Sequence, residues 1–493
     1  MMNFSTLRKD IPAGLVVFLV ALPLCLGIAQ ASGLPPFVGL LTGVIGGLVV
    51  TTFSPSKFAV SGPAAGLVTI VSGAMETLGS FSALLLALII AGVLQFLLGV
   101  VRAGRFITLV PGTVIKGMLA AIGILLIIQQ IPVALGAGDE NEVDGLAIAG
   151  AFSVSIPAIV VSGTGLLILW AWGTRTVKKS RVLGWIPGPL VAVLFGCIAT
   201  VFGDRLFPEL VSNLPRISLP AFDSLHALTG ELQTPNWAAW QNPAVYMVAV
   251  TLAIVASLET LLSQEALKKL RPQNPPPSPD KEMRAQGIGN LVSGFLGGLP
   301  VTAVIVRSSV NVSAGAQSKF SILFHGVLLL VCGLYFSHLL NAIPLASLAA
   351  VLLYTGYKLA APVLFVEHAR QGAHQFVPFL ATIGGILVFG MLAGIGIGLV
   401  TQVLFSIYKS HHNALVLTRC DDHYVLRFQQ NLTFMHNLRL KGLLAGIPEN
   451  SVVSVARDNA DYLDPDVKAV LKDFGEEARQ RGIVLNQWPV TLA

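Results

Sequence analysis

The sequence predicts an all-α polytopic membrane protein that ends in a small α/β module, and three observations carry that reading. Of the 493 residues, 54% are hydrophobic and only 11% are charged, whereas soluble chains carry about a quarter charged residues. The charge is also uneven, with 38 charged residues in 1–419 and 18 in the much shorter stretch 420–493. Apolar runs recur throughout the first part and stop before the second. The organisation expected is a membrane domain over residues 1–415 and a short cytoplasmic domain over 420–493.

Each crossing needs about 20 apolar residues in a helix, because lipid offers no partner for open backbone groups. Apolar runs lie near 11–30, 37–53, 58–75, 82–101, 106–136, 147–172, 183–202, 243–266, 286–299, 300–316, 320–340, 342–359, 361–372 and 376–408, which gives twelve to fourteen segments, several too short to span alone. Arg8 and Lys9 precede the first run in the manner of a secretory signal. That run continues from Pro12 to Gln30 into another apolar stretch, so it reads as a retained span. Polar breaks fall at Gly138–Asp144, Arg175–Arg181, Asp204–Gln241 and Lys268–Arg284, the last with Pro275, Pro276, Pro277 and Pro279 as an extended surface loop.

Basic clusters at Arg102 and Arg105, at Arg175, Lys178, Lys179 and Arg181, and at Lys268, Lys269 and Arg271 place their loops in the cytoplasm. The long loop Asp204–Gln241 is then outside and both termini are inside. The net charge of +6 is spread over these loops with no basic block interleaved with aromatics, so nucleic-acid binding has no support. Cys25, Cys197, Cys332 and Cys420 lie far apart, three of them in apolar runs, and read as buried inert thiols. In the tail, 423–434 and 451–456 alternate like strands, Pro465–Arg481 has helical spacing and Gly482–Leu485 reads as a strand.

Two apolar segments are interrupted by Gly, Pro and small polar residues where mid-membrane helix is expected. The first is Phe58–Thr69, containing Ser61-Gly62-Pro63-Ala64-Ala65, and the second is Gly294–Gly315, containing Pro300-Val301-Thr302-Ala303-Val304. In both, glycines and an extended stretch precede a helix started by proline near its first position. Two such half-helices in corresponding places are the mark of an inverted-repeat transporter. Their amino termini present open N–H groups and partial positive charge to an anion at the bilayer midplane. The plainer alternative is a pair of kinks of the kind Gly and Pro make in membrane helices.

Charged residues inside spans are costly, so those present point to function. Glu259 is the most clearly embedded acid, with Ser263 one turn on and on the same face, and a buried Glu beside hydroxyls can take Na⁺ or a proton; the plainer alternative is a Glu near a helix end that reaches water. Arg307 is the embedded cation and either adds positive potential to an anion site or pairs with a helix carbonyl or with Glu259. Lys116 reads as a snorkelling lysine, and Glu265 as interfacial beside Lys268 and Lys269. His368 and His374 read as a loop pair near the cytoplasm, and no hydrolytic triad or metal-ligand cluster supports an enzyme.

At these residues the chain resembles the SulP family of anion transporters, bacterial relatives of the solute carrier family that includes prestin and pendrin. The marks are Ala31–Leu40 after the first span, Ser61–Ala65 in the third, Val110–Gly117 in the fifth and Arg307–Gly315 in the tenth. The resemblance implies fourteen helices in two inverted repeats of seven, a core domain moving against a gate domain in the bacterial inner membrane, and a homodimer. It implies an inorganic anion held between the third and tenth helices, by Pro63, Ala64 and Ala65 and by Thr302, Ala303 and Val304, with the amides around Ala64, Ala65, Ala303 and Val304 as donors and Arg307 assisting. Glu259, with Ser263, matches the coupling carboxylate of the eighth helix, for H⁺ or Na⁺; no other cofactor is implied. Arg307 and the run Ser309–Gly315 are similar to the sulfate-type members, and the tail is similar to a shortened STAS domain, with Pro465 where relatives keep a phosphorylatable serine. The expectation is secondary-active transport of sulfate or bicarbonate. The alternatives are a C4-dicarboxylate or nucleobase carrier of the same architecture, and an uncoupled anion channel or exchanger.

Overall fold

The computed structural model describes residues 4–104, 110–137, 155–174, 177, 186–211, 214–220, 230, 232–270, 277–420, 423–429, 431–457 and 462–486. Outside the described residues lie the break Gly138–Asp144, the basic residues Arg105, Arg175, Lys178, Lys179, Arg181 and Arg271, and Pro275 and Pro276. The chain partitions into two compact units, residues 1–368 with 379–397 and residues 369–378 with 398–493.

Up to residue 413, and leaving aside the four-residue helices Pro208–Val211 and Ser337–Leu340, the helices in order are α1 (Phe4–Ala31), α2 (Pro36–Phe53), α3 (Val68–Leu78), α4 (Phe81–Val100), α5 (Gly112–Leu135), α6 (Ile156–Gly173), α7 (Gly188–Leu206), α8 (Pro243–Leu270), α9 (Pro279–Leu296), α10 (Ile305–Ser313), α11 (Phe320–Tyr335), α12 (Leu345–Leu359), α13 (Pro362–Arg370), α14 (Ala373–Phe389) and α15 (Met391–Asn413). Two short strands, β1 (Ser61–Pro63) and β2 (Val301–Ala303), immediately precede the helical segments of α3 and α10. Among the described residues, eight helical stretches are long and apolar enough to cross a membrane, and the helical stretches Ala65–Leu78, Phe320–Tyr335, Ala373–Phe389 and Met391–Ile407 are apolar but shorter. Large apolar side chains such as Ile156, Leu167 and Trp170 on α6 and Phe202 on α7 stand exposed. In water they would form an extensive sticky surface; in lipid they are solvated.

Several expected boundaries move. The run 58–75 is a strand followed by a helix, and the run 376–408 is two helices parted at Gly390, whose φ is +84°. The polar break expected at Lys268–Arg284 is partly helix. There Ser278 Oγ caps α9 by accepting from Lys281 N, Pro279 opens it, and Asp280 and Glu282 sit in its first turn. These charges fit the positive end of a helix and do not mark a loop. Cys25 is buried as expected, but Cys197 and Cys332 are only partly so.

Packing in the first unit relies on small residues, as membrane helices require for close approach. Where α4 crosses α9, a Cβ on Gly92 would stand 2.8 Å from Gly287 O, and one on Gly287 would stand 2.7 Å from Gly92 O. Where α2 crosses α11, a Cβ on Gly47 would stand 2.7 Å from Gly326 Cα. The contacts also come in matched pairs: α1 with α11 and α8 with α4, then α2 with α11 and α9 with α4, while α5 packs on α12 and β1 on β2.

In the second unit, strands β3 (Leu415–Cys420), β4 (His423–Phe428), β5 (Val452–Arg457) and β6 (Val484–Asn486) form one sheet in that order, antiparallel at β3–β4 and parallel thereafter. Helix α16 (Asn437–Ala445) lies between β4 and β5 in sequence and α17 (Pro465–Gln480) between β5 and β6. Asp464 caps α17 by accepting from Asp466 N at 3.1 Å. The core holds Leu426, Phe428, Leu440, Val453, Leu471 and Phe474. The expected strand, strand, helix, strand order is present, with β3 and α16 in addition.

Candidate functional site

Strands β1 and β2 pair antiparallel with Ser61 opposite Ala303, Gly62 opposite Thr302 and Pro63 opposite Val301. All six residues are buried. Extended backbone at this depth is tolerable only because each strand supplies the other's hydrogen bonds. The ladder continues where Val304 N–H donates to Val60 O at 2.9 Å. Side chains close its far end: Val60 N–H donates to Ser308 Oγ at 2.9 Å and Asn311 Nδ2 donates to Phe58 O at 3.2 Å.

The prolines do not start the helices as the sequence suggested. Pro63 ends β1, and a 3₁₀ turn Ala65–Leu67 leads into α3; Pro300 precedes β2, and α10 begins at Ile305. The reason is that a proline's fixed φ suits an extended strand as well as a first helical turn, and here pairing claims the residues beside it. This changes which amides are open. Val304 N–H is engaged by Val60, and Ala303 N–H donates to Thr260 Oγ1 at 3.3 Å, so neither of these two expected donors is open. The first bond into α10 runs from Ser308 N to Val304 O, and the first into the 3₁₀ turn from Leu67 N to Ala64 O. The groups without an intrahelical acceptor are therefore Ile305, Val306 and Arg307 on one side and Ala65 and Gly66 on the other.

Arg307 is fully buried and reaches from α10 across to β1, where Nη2 donates to Pro63 O at 3.2 Å. Its Nε and Nη1 have no partner among the described residues, and it forms no ion pair with Glu259. Of the roles considered from sequence, carbonyl pairing is realised, and no carboxylate among the described residues pairs with the charge. Gly62 makes room for it, since Nη1 occupies the place of a Cβ.

Glu259 lies within α8 and not at its end. A Cβ on Gly66 would stand 2.8 Å from its Oε1, so the carboxylate rests on the first turn leading into α3. Thr302 is its polar neighbour from β2. Glu259 Oε2 and Thr302 Oγ1 are both buried without a hydrogen-bond partner among the described residues. Ser263 is buried one turn further along α8. Pro63, Ala64, Thr302, Ala303, Arg307 and Glu259 are thus brought round one ladder.

Glu265 pairs with its expected neighbour Lys268 at 3.9 Å, and Lys116 pairs with Glu367 at 3.5 Å with both side chains well exposed. One reading changes. His368 is not a loop residue: it is buried in α13, stacked on Phe379 with ring centroids 4.5 Å apart. Two further buried acids escaped the sequence reading. Asp10 accepts from the Gln317 N–H at 2.6 Å and the Ser318 N–H at 3.2 Å. Glu282 accepts from Ser54 Oγ at 2.6 Å and Gln286 Nε2 at 3.0 Å, and Gln286 also donates to Ser61 Oγ at 2.8 Å. Both stood among charged neighbours, Arg8 and Lys9 or Lys281 and Arg284, which in sequence look like a solvated edge.

A multi-pass membrane protein whose two strand-led half-helices share a buried ladder, with one cation and one carboxylate beside it, has the parts of an anion carrier. The chain belongs to the sulfate permease family, whose model matches residues 7–382. Its relatives are transporters. It is 30% identical over 416 residues to the putative sulfate transporter YvdB of Bacillus subtilis, covering 83% of this chain and 75% of that one. It is 26% identical over 402 residues to the bicarbonate transporter BicA of Picosynechococcus, covering 79% and 67%. Among solved structures, the transmembrane domain of a cyanobacterial bicarbonate transporter BicA matches with TM-score 0.67 at 23% identity, over 80% of this chain and 98% of that one. Murine Solute Carrier 26 family member A9, an anion transporter in the inward-facing state, matches with TM-score 0.75 at 14% identity, over 99% and 86%. These likenesses fix the fold, and the family is that of sulfate and bicarbonate transporters.

Proposed function

We propose that this protein carries a small inorganic oxyanion, sulfate or bicarbonate, by secondary-active transport coupled to H⁺ or Na⁺. The observation that carries the reading is the meeting of two half-helix starts across the β1–β2 ladder, with Arg307 buried and paired with no acid among the described residues. The anion is held by the open N–H groups of Ala65, Gly66, Ile305 and Val306, between Pro63 and Ala64 on one wall and the Thr302 hydroxyl on the other, and Arg307 supplies positive potential from behind β1. Glu259 carries the coupling ion, with Ser263 one turn away. Backbone donors suit a compact oxyanion, because they are rigid and need no side chain to be ordered on binding.

In this reading the fourteen spans are α1–α12, α14 and α15, seven in each inverted repeat, and the matched contact pairs support that division. The repeats' core moves against a gate in an elevator-like cycle, both termini are cytoplasmic in a bacterial inner membrane, the α/β unit is a shortened STAS-like domain, and the protein is a homodimer. The test is uptake of labelled sulfate and of labelled bicarbonate into liposomes holding the purified protein, under imposed proton and sodium gradients. Absence of uptake of both anions under every gradient rejects the substrate class. Inhibition by fumarate would move it to dicarboxylates.

A further inference from the structure

We propose that Thr260 and Asn290 are positioning residues of the anion site, together taking the place of a third strand beside β2. A two-stranded ladder has outward-facing N–H and C=O groups on both edges, and at this depth no water reaches them. On β2 those groups belong to Val301 and Ala303, the two residues that flank Thr302. Val301 N–H donates to Asn290 Oδ1 at 2.6 Å, and Asn290 Nδ2 donates back to Val301 O at 3.1 Å. The side-chain amide thereby reproduces the donor and acceptor of a neighbouring peptide. Ala303 N–H donates to Thr260 Oγ1 at 3.3 Å, which continues the same edge. Asn290 is 1% exposed and Thr260 fully buried.

The clamp has a second anchor. Asn290 Nδ2 also donates to Gln95 Oε1 at 2.5 Å, Gln95 Nε2 donates to Ser257 Oγ at 3.1 Å, and Ser257 Oγ donates to Ala253 O at 2.6 Å. The chain therefore starts on β2, passes through α9 and α4, and returns to α8 at Ser257. Thr260 ties β2 to α8 directly, next to Glu259. Two ties to one helix fix a register, whereas one would allow the strand to pivot. What they set is the placement of Thr302 against Glu259 and the aim of the Ile305 and Val306 N–H groups that follow. Neither clamp residue faces the anion, so their action is on geometry.

This inference rests on β2 being a wall of the anion site, and the experiment separates the two. Thr260→Val keeps the shape and removes the acceptor, and Thr260→Ser keeps it. With the full-length protein in liposomes, Thr260→Val is expected to raise KM for labelled sulfate or bicarbonate roughly tenfold, the scale of a buried N–H left without a partner. The maximal rate per folded protein changes far less, and Thr260→Ser restores KM. A merely structural residue would lower the folded yield and leave KM alone, and that result overturns the proposal. If the wild-type protein carries neither anion, the transport reading fails and hydrogen exchange of residues 301–304 decides the clamp. Faster exchange in Thr260→Val and in Asn290→Leu supports it, and exchange equal to wild type in both overturns it.

Discussion

The carboxylate of Glu259 rests where a side chain of residue 66 would begin: a Cβ there would lie 2.8 Å from Oε1 and 3.2 Å from Oε2. Gly66 lies in the 3₁₀ turn that opens into α3, so the acid shares the positive end of that half-helix with the proposed anion. The proposed coupling then has a local cause, because an ionised Glu259 and a bound oxyanion would draw on the same donors and a neutralised one would not.

Gly66→Ala should displace the Glu259 carboxylate and lower anion uptake roughly tenfold, the scale of a misplaced reacting group. The melting temperature of the purified protein should fall little, since the added methyl meets the end of a flexible side chain. Uptake equal to wild type would show that the contact has no part in transport.

Glu259→Gln keeps the shape and cannot ionise. Uptake by this variant is expected to lose its dependence on the imposed proton or sodium gradient while downhill anion flux persists. Liposome uptake measured with and without each gradient decides it; a variant as gradient-dependent as wild type places coupling elsewhere, with buried Glu282 the next acid to replace.

Arg307→Met removes the buried positive charge and the bond to Pro63 O, and its uptake should fall below detection at anion concentrations that saturate the wild type. Arg307→Lys keeps the charge but cannot make the forked contacts of a guanidinium, and should retain partial uptake with a raised KM. Equal activity of the Met variant would mean that the cation is structural only.

Gly287→Val places side-chain atoms against the Gly92 backbone at the α4–α9 crossing. Overpacking of this kind costs about 1–3 kcal/mol or more, read as a lower melting temperature in detergent. Gly73→Ala, where a Cβ would meet nothing within 4 Å, is the control and should melt like wild type.

Leu471 is fully buried in the α/β unit. Leu471→Ala should destabilise that unit by about 2–5 kcal/mol, visible as faster hydrogen exchange in β4 and β5. A rate unchanged in those strands would mean that the core closes over the cavity.

How much of this was legible in the sequence depends on what kind of signal each residue left. Glu259 and Arg307 were conspicuous because lipid excludes charge, so a lone acid or base in an apolar run stands out. Asp10 and Glu282 were hidden by the opposite circumstance, lying among charges at helix starts where exposure is the ordinary outcome. Asn290 and Gln95 were silent: uncharged amides within helices leave no pattern of their own, and only the approach of α4, α8, α9 and β2 makes them partners. Strand β3 was missed because Leu415–Cys420 is a short apolar stretch set off from the last apolar run by the polar residues Lys409–Asn413, at the boundary drawn between the membrane domain and the tail.

The sequence alone determined that the first 400 or so residues live in lipid, that two segments abandon continuous helix at the same relative place, and which two charges are embedded beside them. These follow from composition and from local rules of Gly and Pro, which act over a few residues. The tertiary structure decided the rest. Pairing of β1 with β2 engaged the Val304 amide, Thr260 on α8 engaged that of Ala303, those of Ile305, Val306, Ala65 and Gly66 were left without an intrahelical acceptor, and Arg307 was turned toward a carbonyl of β1 and not toward Glu259. A backbone donor is identical at every residue, so which ones remain free is fixed only when distant segments, here residues 61 and 303, come together and satisfy the others.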